Sequence, residues 1–245
     1  MKNVAVVGAS GAVGNVMVRL LLERRFPISS IKFLASERST GKTIDFDGRT
    51  YPIERLSASA FEGVDIVLSS TPASISREYS PIAARAGAVV VDNSSAWRMD
   101  PEVPLVVPEV NPGDIARHKG IIANPNCSTI QMVVALKPLH DAFRIRRVIV
   151  STYQSVSGAG AKGLHELHEQ TAAHVHGGES PAPSKFSHPI AFNCIPQIDD
   201  FLPSGYTKEE MKLVMRPARS WATTPSTSAR PACGFPSCTA TVSRS

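Results

Sequence analysis

The amino-acid sequence predicts an α/β protein built on a doubly wound parallel sheet. Short apolar runs that suit buried strands alternate with helical patterns through the N-terminal half of the chain. A glycine-rich turn, Gly8 to Gly14, separates the first of these runs from the first helical pattern. With 245 residues, 42% of them hydrophobic, the chain can bury the core of one large or two modest domains.

The first predicted unit is a strand, a glycine turn and a helix. Lys2 to Val7 is a valine-rich run, and an apolar-periodic segment extends from Val16 to Arg25. Glycines in such a turn let the backbone approach a pyrophosphate, and the helix N-terminus supplies N–H donors and a positive dipole end. The turn therefore favours a dinucleotide site over a plain tight turn, with candidate contacts at Gly8, Ser10, Gly11, Ala12, Val13 and Gly14.

The second predicted strand, Ile31 to Ser36, leads into a charged turn that bears on cofactor choice. An acidic residue at this point of a dinucleotide fold contacts a ribose 2′-hydroxyl, whereas arginine and hydroxyl groups suit a 2′-phosphate. Both types are present, since Glu37 precedes Arg38 and Ser39. We interpret Arg38 and Ser39 as NADP contacts, with Glu37 turned outward; the alternative is a solvated charge cluster.

The next elements continue the alternation of strands and helices. Asp47-Gly48 predicts a hairpin turn within Thr43 to Leu56. Two further buried strands, Val64 to Ser69 and Ala88 to Val91, are separated by a helical pattern from Ile75 to Ala86. This order is typical of a parallel sheet that is covered by helices on both faces.

Polar residues from Asp92 to Arg98 come directly after one of the predicted strands. Ligands of open α/β sheets gather at the carboxyl ends of the strands, so Arg98 is a candidate anion contact. A surface arginine stacked on Trp97 is an equally good interpretation.

Cys127 stands where an apolar run changes to a helical pattern. Asn124-Pro125-Asn126 interrupts the run, and the periodic segment that follows extends to about Phe143. The dipole and N–H groups of a helix start favour thiolate over thiol and can hold an oxyanion. Cys127 is therefore a candidate nucleophile, with a buried inert cysteine as the alternative. Cys194 has no such setting and is expected in the core.

The remaining body predicts a strand, a loop and two helices. Arg147 to Val156 is a β-rich run that carries Gln154, and the glycine-serine loop after it either closes over a nicotinamide or simply turns the chain. The next helix contains HELHE, which lacks the HExxH spacing of zinc proteases, so we expect a solvated face and no metal site. Thr207 to Val214 predicts a short amphipathic helix.

Charge and composition exclude two classes of partner. Most of the net charge of +5 arises beyond Val214, where the chain has four arginines and no acidic residue. The nearly neutral body has no electrostatic reason to bind nucleic acid. No apolar run reaches the roughly 20 residues that cross a bilayer, and no signal-peptide pattern opens the chain, so we expect a cytoplasmic protein without a membrane partner.

The strand followed by GASGAVG, together with NPNCST, STYQSVSGAG and TKEEMK, resembles the aspartate-β-semialdehyde dehydrogenase family from Met1 to Val214. The resemblance implies an NADP-binding Rossmann-type domain at 1–127. It also implies an α/β catalytic and dimerisation domain at 128–214, in a protein that forms homo-oligomers. In this family, Cys127 thiolate would attack the acyl phosphate of L-aspartyl-4-phosphate, and hydride from NADPH would reduce the resulting thioester to L-aspartate 4-semialdehyde.

The resemblance also implies roles for further residues by motif match. Gln154 would orient the small-molecule substrate, and Ser157 and Gly158 would lie beside the nicotinamide. The substrate and its phosphate would be bound by Arg98, Asn126, Glu209 and Lys212, with Glu209 at the amino group. The reaction would feed lysine, threonine, methionine and diaminopimelate biosynthesis. N-acetyl-γ-glutamyl-phosphate reductase uses the same thiol chemistry and is the nearest alternative.

The tail, 215–245, departs from the family. Family members continue with an arginine for the substrate carboxylate and a VPVxxGHSE stretch with a general acid/base histidine, and the tail has neither. Allowed codons for the tail, read one nucleotide out of register, include such a stretch, so we interpret the chain as frameshifted or truncated from about Met215. We expect a disordered, out-of-family tail and an incomplete second domain. As written, we expect the chain to be an impaired or inactive enzyme; the alternative function is that of an inactive NADP-binding, dimerising fragment.

Overall fold

A seven-stranded sheet organises the first of two compact units in the computed structural model, which describes residues 1–213 and 239–240. The boundary between the units falls between Pro138 and Leu139. The sequence suggested a boundary after residue 127. That domain boundary stays a prediction; the division into compact units falls inside the helix Cys127–Phe143, beside Pro138, whose ring removes a backbone hydrogen bond.

The sheet strands are β1 (Lys2–Val7), β2 (Ile28–Ala35), β3 (Thr43–Phe46), β4 (Arg49–Arg55), β5 (Ile66–Ser69), β6 (Val89–Asp92) and β7 (Ile121–Ala123). Their order is β3-β4-β2-β1-β5-β6-β7, and every neighbouring pair is parallel except the β3–β4 hairpin. The hairpin turns at Asp47 and Gly48, both with positive φ, as the Asp-Gly pair predicts. The chain leaves β1 towards β2 and later returns to its other side at β5, which makes the β1–β5 carboxyl edge the expected ligand crevice.

Both faces of the sheet are buried. On one face, Val6 and Phe33 pack with Val18 of helix α1 (Ala12–Glu23). On the other face, Val7 and Val90 pack with Ala83 of helix α2 (Ala73–Arg85). The predicted doubly wound parallel sheet is thus confirmed, because helices cover apolar residues on each side of the same strands.

Two longer helices follow, α3 (Cys127–Phe143) and α4 (Gly160–Val175), and residues 208–213 are also helical. A two-stranded antiparallel sheet pairs β8 (Cys194–Ile195) with β9 (Thr239–Ala240). Strand β9 lies in the tail, for which the sequence predicted no regular structure; the rest of 214–245 lies outside the described residues. No helix in the described part of the chain is long and apolar enough to cross a membrane.

Two sequence predictions for the second unit are wrong. Arg147 to Val156 contains no strand and only an isolated bridge residue, Tyr153, because none of the described residues pairs along 147–152 to complete its backbone hydrogen bonds. Cys194 is exposed rather than in the core. Strand alternation accounts for this, since its neighbour Ile195 takes the buried side of β8.

Candidate functional site: a nucleotide groove and a helix-start cysteine

The glycine turn between β1 and α1 is shaped for close approach by a ligand and by its own helix. Gly8 has φ +82°, and a Cβ there would collide with the Ser70 carbonyl oxygen. A Cβ on Gly14 would collide with the Gly8 carbonyl oxygen, because α1 packs directly onto the turn. Both positions therefore require glycine.

An open groove of about 420 Å³ lies along this turn at the carboxyl edge of the sheet. Its lining includes Gly8, Ser10 and Gly11 from the turn and Ser70 and Thr71 from the loop after β5. The groove thus lies where the strand order reverses, as the topology predicts for a ligand crevice. A tight glycine turn, a helix N-terminus and an adjacent groove fit the pyrophosphate and ribose of a dinucleotide.

The turn after β2 borders the groove. The Ser10 hydroxyl donates to the Ser39 hydroxyl at 3.0 Å, so two of the predicted cofactor contacts meet. Arg38 is exposed on the same short 3-10 helix, Glu37–Ser39, but is not among the lining residues. Glu37, expected to point away, lines the groove beside Arg55. The sequence reasoning missed Arg55, because only the β2–β4 register brings it to this turn.

Cys127 is the first residue of α3 and is exposed, as its position in the sequence predicts. Asn126, immediately before it, organises the first turn: the Thr129 hydroxyl donates to the Asn126 side-chain oxygen at 2.5 Å, and the Ile130 N–H donates to the Asn126 carbonyl at 3.0 Å. Asn126 also donates from Nδ2 to the Ser128 hydroxyl at 2.6 Å. The thiol therefore lies at the N-terminus of a helix whose first turn is fixed by hydrogen bonds. The helix dipole favours negative charge that develops at this position.

Arg98 is buried rather than free on the surface. It is only 7% exposed, and its guanidinium donates from Nε to the Asn124 carbonyl at 2.8 Å and from Nη2 to the Asn93 carbonyl at 2.7 Å. The Trp97 indole N–H donates to the Ser76 hydroxyl. Arg98 thus joins the loop after β6 to the loop that leads into Cys127, a role that requires contacts the local sequence does not reveal.

Buried Asp92 fixes the loop that carries Arg98. Its carboxylate accepts hydrogen bonds from the Ser76 hydroxyl at 2.6 Å and from the Ser94 N–H at 2.8 Å. Asn93 accepts at Oδ1 from the Asn124 side-chain amide at 2.9 Å. These bonds connect α2, the carboxyl end of β6 and the segment that precedes α3. The segment that leads into Cys127 is therefore fixed by hydrogen bonds to the neighbouring elements.

The second unit carries the other residues with motif-based roles. Lys212 lies between two carboxylates, with Nζ 2.8 Å from Asp199 Oδ2 and 3.0 Å from Glu209 Oε2. Burial acts to raise the pKa of Asp199, but the hydrogen bond and charge of Lys212, together with the Asp200 N–H and the charge of Lys208, outweigh it, so this pKa lies below its ordinary value. The pair predicted to bind substrate is therefore preassembled as an ion pair, with Asp199 as a third member that the sequence did not indicate.

Gln154, Ser157 and Gly158 lie on the segment that leads into α4. Gln154 donates from Nε2 to the Thr152 hydroxyl at 3.3 Å. Ser155 caps the 3-10 turn Val156–Ala159 by accepting from the Ser157 N–H. Ser157 and Gly158 are exposed, and a Cβ on Gly158 would meet open space. This loop therefore leaves open space for a ligand beside Gly158.

No group of three or more potential metal-ligating His, Cys, Asp or Glu side chains occurs among residues 1–213. The histidines at positions 165, 168 and 174 of α4 and at position 176 just beyond it are exposed. HELHE therefore lies on a largely solvated face, although the structure buries its second residue, Glu166.

Comparisons with known proteins agree with this two-part arrangement. The family model described as semialdehyde dehydrogenase, NAD binding domain, matches residues 3–118. The model described as semialdehyde dehydrogenase, dimerisation domain, matches residues 136–239. The second match therefore reaches into the tail that the motifs alone had placed outside the family.

Individual relatives match over most of this chain. It is 56% identical over 214 residues to aspartate-semialdehyde dehydrogenase of Aquifex aeolicus and 55% identical over 214 residues to aspartate-semialdehyde dehydrogenase 2 of Vibrio cholerae. Each match covers 86% of this chain and 63% of the relative, so the chain spans less than two thirds of their length.

A solved structure supports the same relationship. The crystal structure of aspartate semialdehyde dehydrogenase II complexed with ASA from Vibrio cholerae superposes with a TM-score of 0.90 at 47% sequence identity. The match covers 98% of this chain and 70% of that chain. Since sequence, domain order and fold all agree, the chain belongs to the aspartate-semialdehyde dehydrogenase family.

Proposed function

We infer that the intact protein is an NADP-dependent aspartate-semialdehyde dehydrogenase that converts L-aspartyl-4-phosphate to L-aspartate 4-semialdehyde. The observation that carries this inference is the exposed Cys127 thiol at the start of α3, in a chain of this family with a dinucleotide-shaped groove. Family membership supports a homodimer formed through the second domain.

Cys127 supplies the nucleophile. Its sulfur attacks the carbonyl carbon of the acyl phosphate, the C–O bond to phosphate breaks, and inorganic phosphate leaves with the electron pair, which yields a thioester. The positive end of the α3 dipole favours both the attacking thiolate and the oxyanion that develops on the carbonyl oxygen. Asn126 holds the first turn of the helix in place for both tasks.

The remaining motif residues bind and orient the substrate. Lys212 offers positive charge for the leaving phosphate, and Glu209 accepts from the substrate amino group. Gln154 orients the acyl group. Arg98 contributes by fixing the Asn93 and Asn124 loops, and we propose that it also presents positive charge to the phosphate from that position.

The glycine turn and Ser39 would hold NADP, and Ser157 and Gly158 would face its nicotinamide. The cofactor supplies the hydride that reduces the acyl group to the aldehyde. Gly8 and Gly14 admit close backbone approach, and the hydroxyl of Ser10, which lines the groove, bonds the Ser39 hydroxyl at the end that we assign to the ribose. Arg38 is positioned next to that end and would contact the 2′-phosphate.

We propose that the 245-residue chain as written is impaired in turnover. Its tail lacks the family's arginine and general acid/base histidine, and loss of a general base costs about 10² to 10⁴ in rate. Codons that the tail sequence allows, read one nucleotide out of register, include both residues, which supports a frameshift near Met215.

An assay of the frame-corrected protein with semialdehyde, phosphate and NADP tests the proposed function. We expect NADPH formation that Cys127→Ala abolishes, whereas Cys194→Ala, at a second exposed cysteine among the described residues, retains it. Activity that survives Cys127→Ala would refute the thioester route. Faster turnover of N-acetyl-γ-glutamyl semialdehyde than of aspartate semialdehyde would reassign the substrate.

A further inference from the structure

Glu37 and Arg55 form an ion pair among the residues that line the nucleotide groove. Arg55 Nη1 lies 3.6 Å from Glu37 Oε1, and the two side chains are 67% and 75% exposed. The pairing follows from the sheet, because the last residue of β4, Arg55, stands in register with Ala35 at the end of β2. Glu37 begins the short 3-10 helix just beyond that point.

The charge at this position matters for the ribose of a dinucleotide. A lone carboxylate after the second strand accepts hydrogen bonds from ribose hydroxyls and repels a 2′-phosphate, which carries a charge of about −1.5 to −2. Glu37 alone would therefore oppose NADP. An exposed ion pair adds little to the free energy of folding. The main effect of the Glu37–Arg55 pair is therefore on the local charge at the groove.

We propose that Arg55 determines cofactor specificity by neutralising Glu37, which lets this end of the groove accept the 2′-phosphate of NADP. The proposal rests on the assignment of the groove to a dinucleotide and deepens it. It places selectivity on a β4 residue that lies outside the glycine turn and outside the Arg38–Ser39 pair. Arg55 acts on the phosphate through Glu37, so it is a positioning residue rather than a catalytic one.

Fluorescence titrations of the 245-residue chain with NADPH and NADH test this without any need for turnover. Arg55→Ala leaves Glu37 uncompensated, so we expect the preference for NADPH over NADH, measured as the ratio of the two Kd values, to fall about tenfold. Arg19→Ala is the matched control. Arg19 is also 67% exposed and pairs with a glutamate, Glu23, but it lies on α1 and does not line the groove, so the ratio should stay unchanged.

The double variant Glu37→Ala/Arg55→Ala separates neutralisation from direct phosphate binding. Removing both charges should return the ratio to within about threefold of the wild-type value. A double variant that is as impaired as Arg55→Ala would show that Arg55 binds the phosphate itself and would overturn the proposal, as would equal losses for both nucleotides in Arg55→Ala. A wild-type chain that binds neither nucleotide would overturn the cofactor assignment and this proposal with it.

Discussion

Gly8 shows how a single residue determines the shape of the nucleotide groove. Its positive φ and the nearby Ser70 carbonyl oxygen both exclude a side chain. We expect Gly8→Ala to destabilise the protein by about 3 kcal/mol, because backbone strain and a steric collision add together. Urea unfolding measures this loss, and NADPH titration should show that the groove no longer binds.

Gly41 is the control for that substitution. It has nearly the same φ, +86°, but a Cβ there would meet no atom within 4 Å. Gly41→Ala should therefore cost only the strain, about 1 kcal/mol. Equal losses for the two variants would show that the Ser70 contact contributes nothing.

The sequence predicts single residues well where the signal is local. Cys127 at a helix start follows from the residues on either side of it, and the structure has it there. Arg98 is different, because its hydrogen-bond partners include the carbonyl of Asn124, which belongs to another strand's loop. A buried arginine that donates to two backbone carbonyls leaves no pattern in the amino-acid sequence. The position of Arg98 between two loops could therefore not be predicted.

Within α4, the buried Glu166 fixes the segment that follows the helix. Its carboxylate accepts from the Ser184 N–H at 2.9 Å, the Ser184 hydroxyl at 2.9 Å and the Lys185 N–H at 2.5 Å. Burial acts to raise the pKa of Glu166, but these donors outweigh it, so the pKa lies below its ordinary value. Gln170, one turn later, likewise accepts from the Ile190 N–H at 2.8 Å.

The lowered pKa of Glu166 makes stability depend on pH. Because the unfolded chain binds this proton more readily than the folded chain, the contribution of Glu166 is complete at neutral pH and is lost as pH falls below about 5 through the folded-state pKa. Glu166→Gln should cost about 1–3 kcal/mol at pH 7, and the difference from wild type should shrink at pH 4. Urea unfolding at the two pH values measures both quantities.

Glu169 provides the matched control on the same helix. Its side chain is 51% exposed and pairs only across the surface with His165, so Glu169→Gln should change stability little at either pH. If Glu166→Gln matched Glu169→Gln at pH 7, the proposed role of the buried carboxylate would be wrong.

The sequence predicts an isolated strand less well than strands that belong to a repeated strand-and-helix pattern. The alternation of apolar runs predicted the parallel strands β1, β2, β5 and β6, because both faces of that sheet are buried and demand the same residue types. Arg147 to Val156 has equally good β composition but forms no strand among the described residues. A strand depends on a neighbour for its hydrogen bonds, and composition does not report whether that neighbour is present.

For the whole molecule, nucleotide binding depends on the first unit. Among the residues that the structure describes, those that line the groove fall between Val7 and Tyr79, far from the tail in sequence. We expect a chain shortened to residues 1–214 to bind NADPH with a Kd within about threefold of that of the 245-residue chain. A large loss of affinity in fluorescence titration would show that the tail contributes to the groove.

The strand order of the large sheet determines how it can be assembled during synthesis. The central strand, β1, leaves the ribosome first; β2, β4 and β5, β6, β7 are then added outwards, and each parallel strand pairs with one already made. Among the parallel strands, no later strand has to insert between two strands that are already paired, and β4 reaches β2 together with its hairpin partner β3. Since domains fold as units while the chain emerges, this sheet can be complete before the codons near residue 215 are read, in whichever frame the ribosome reads them.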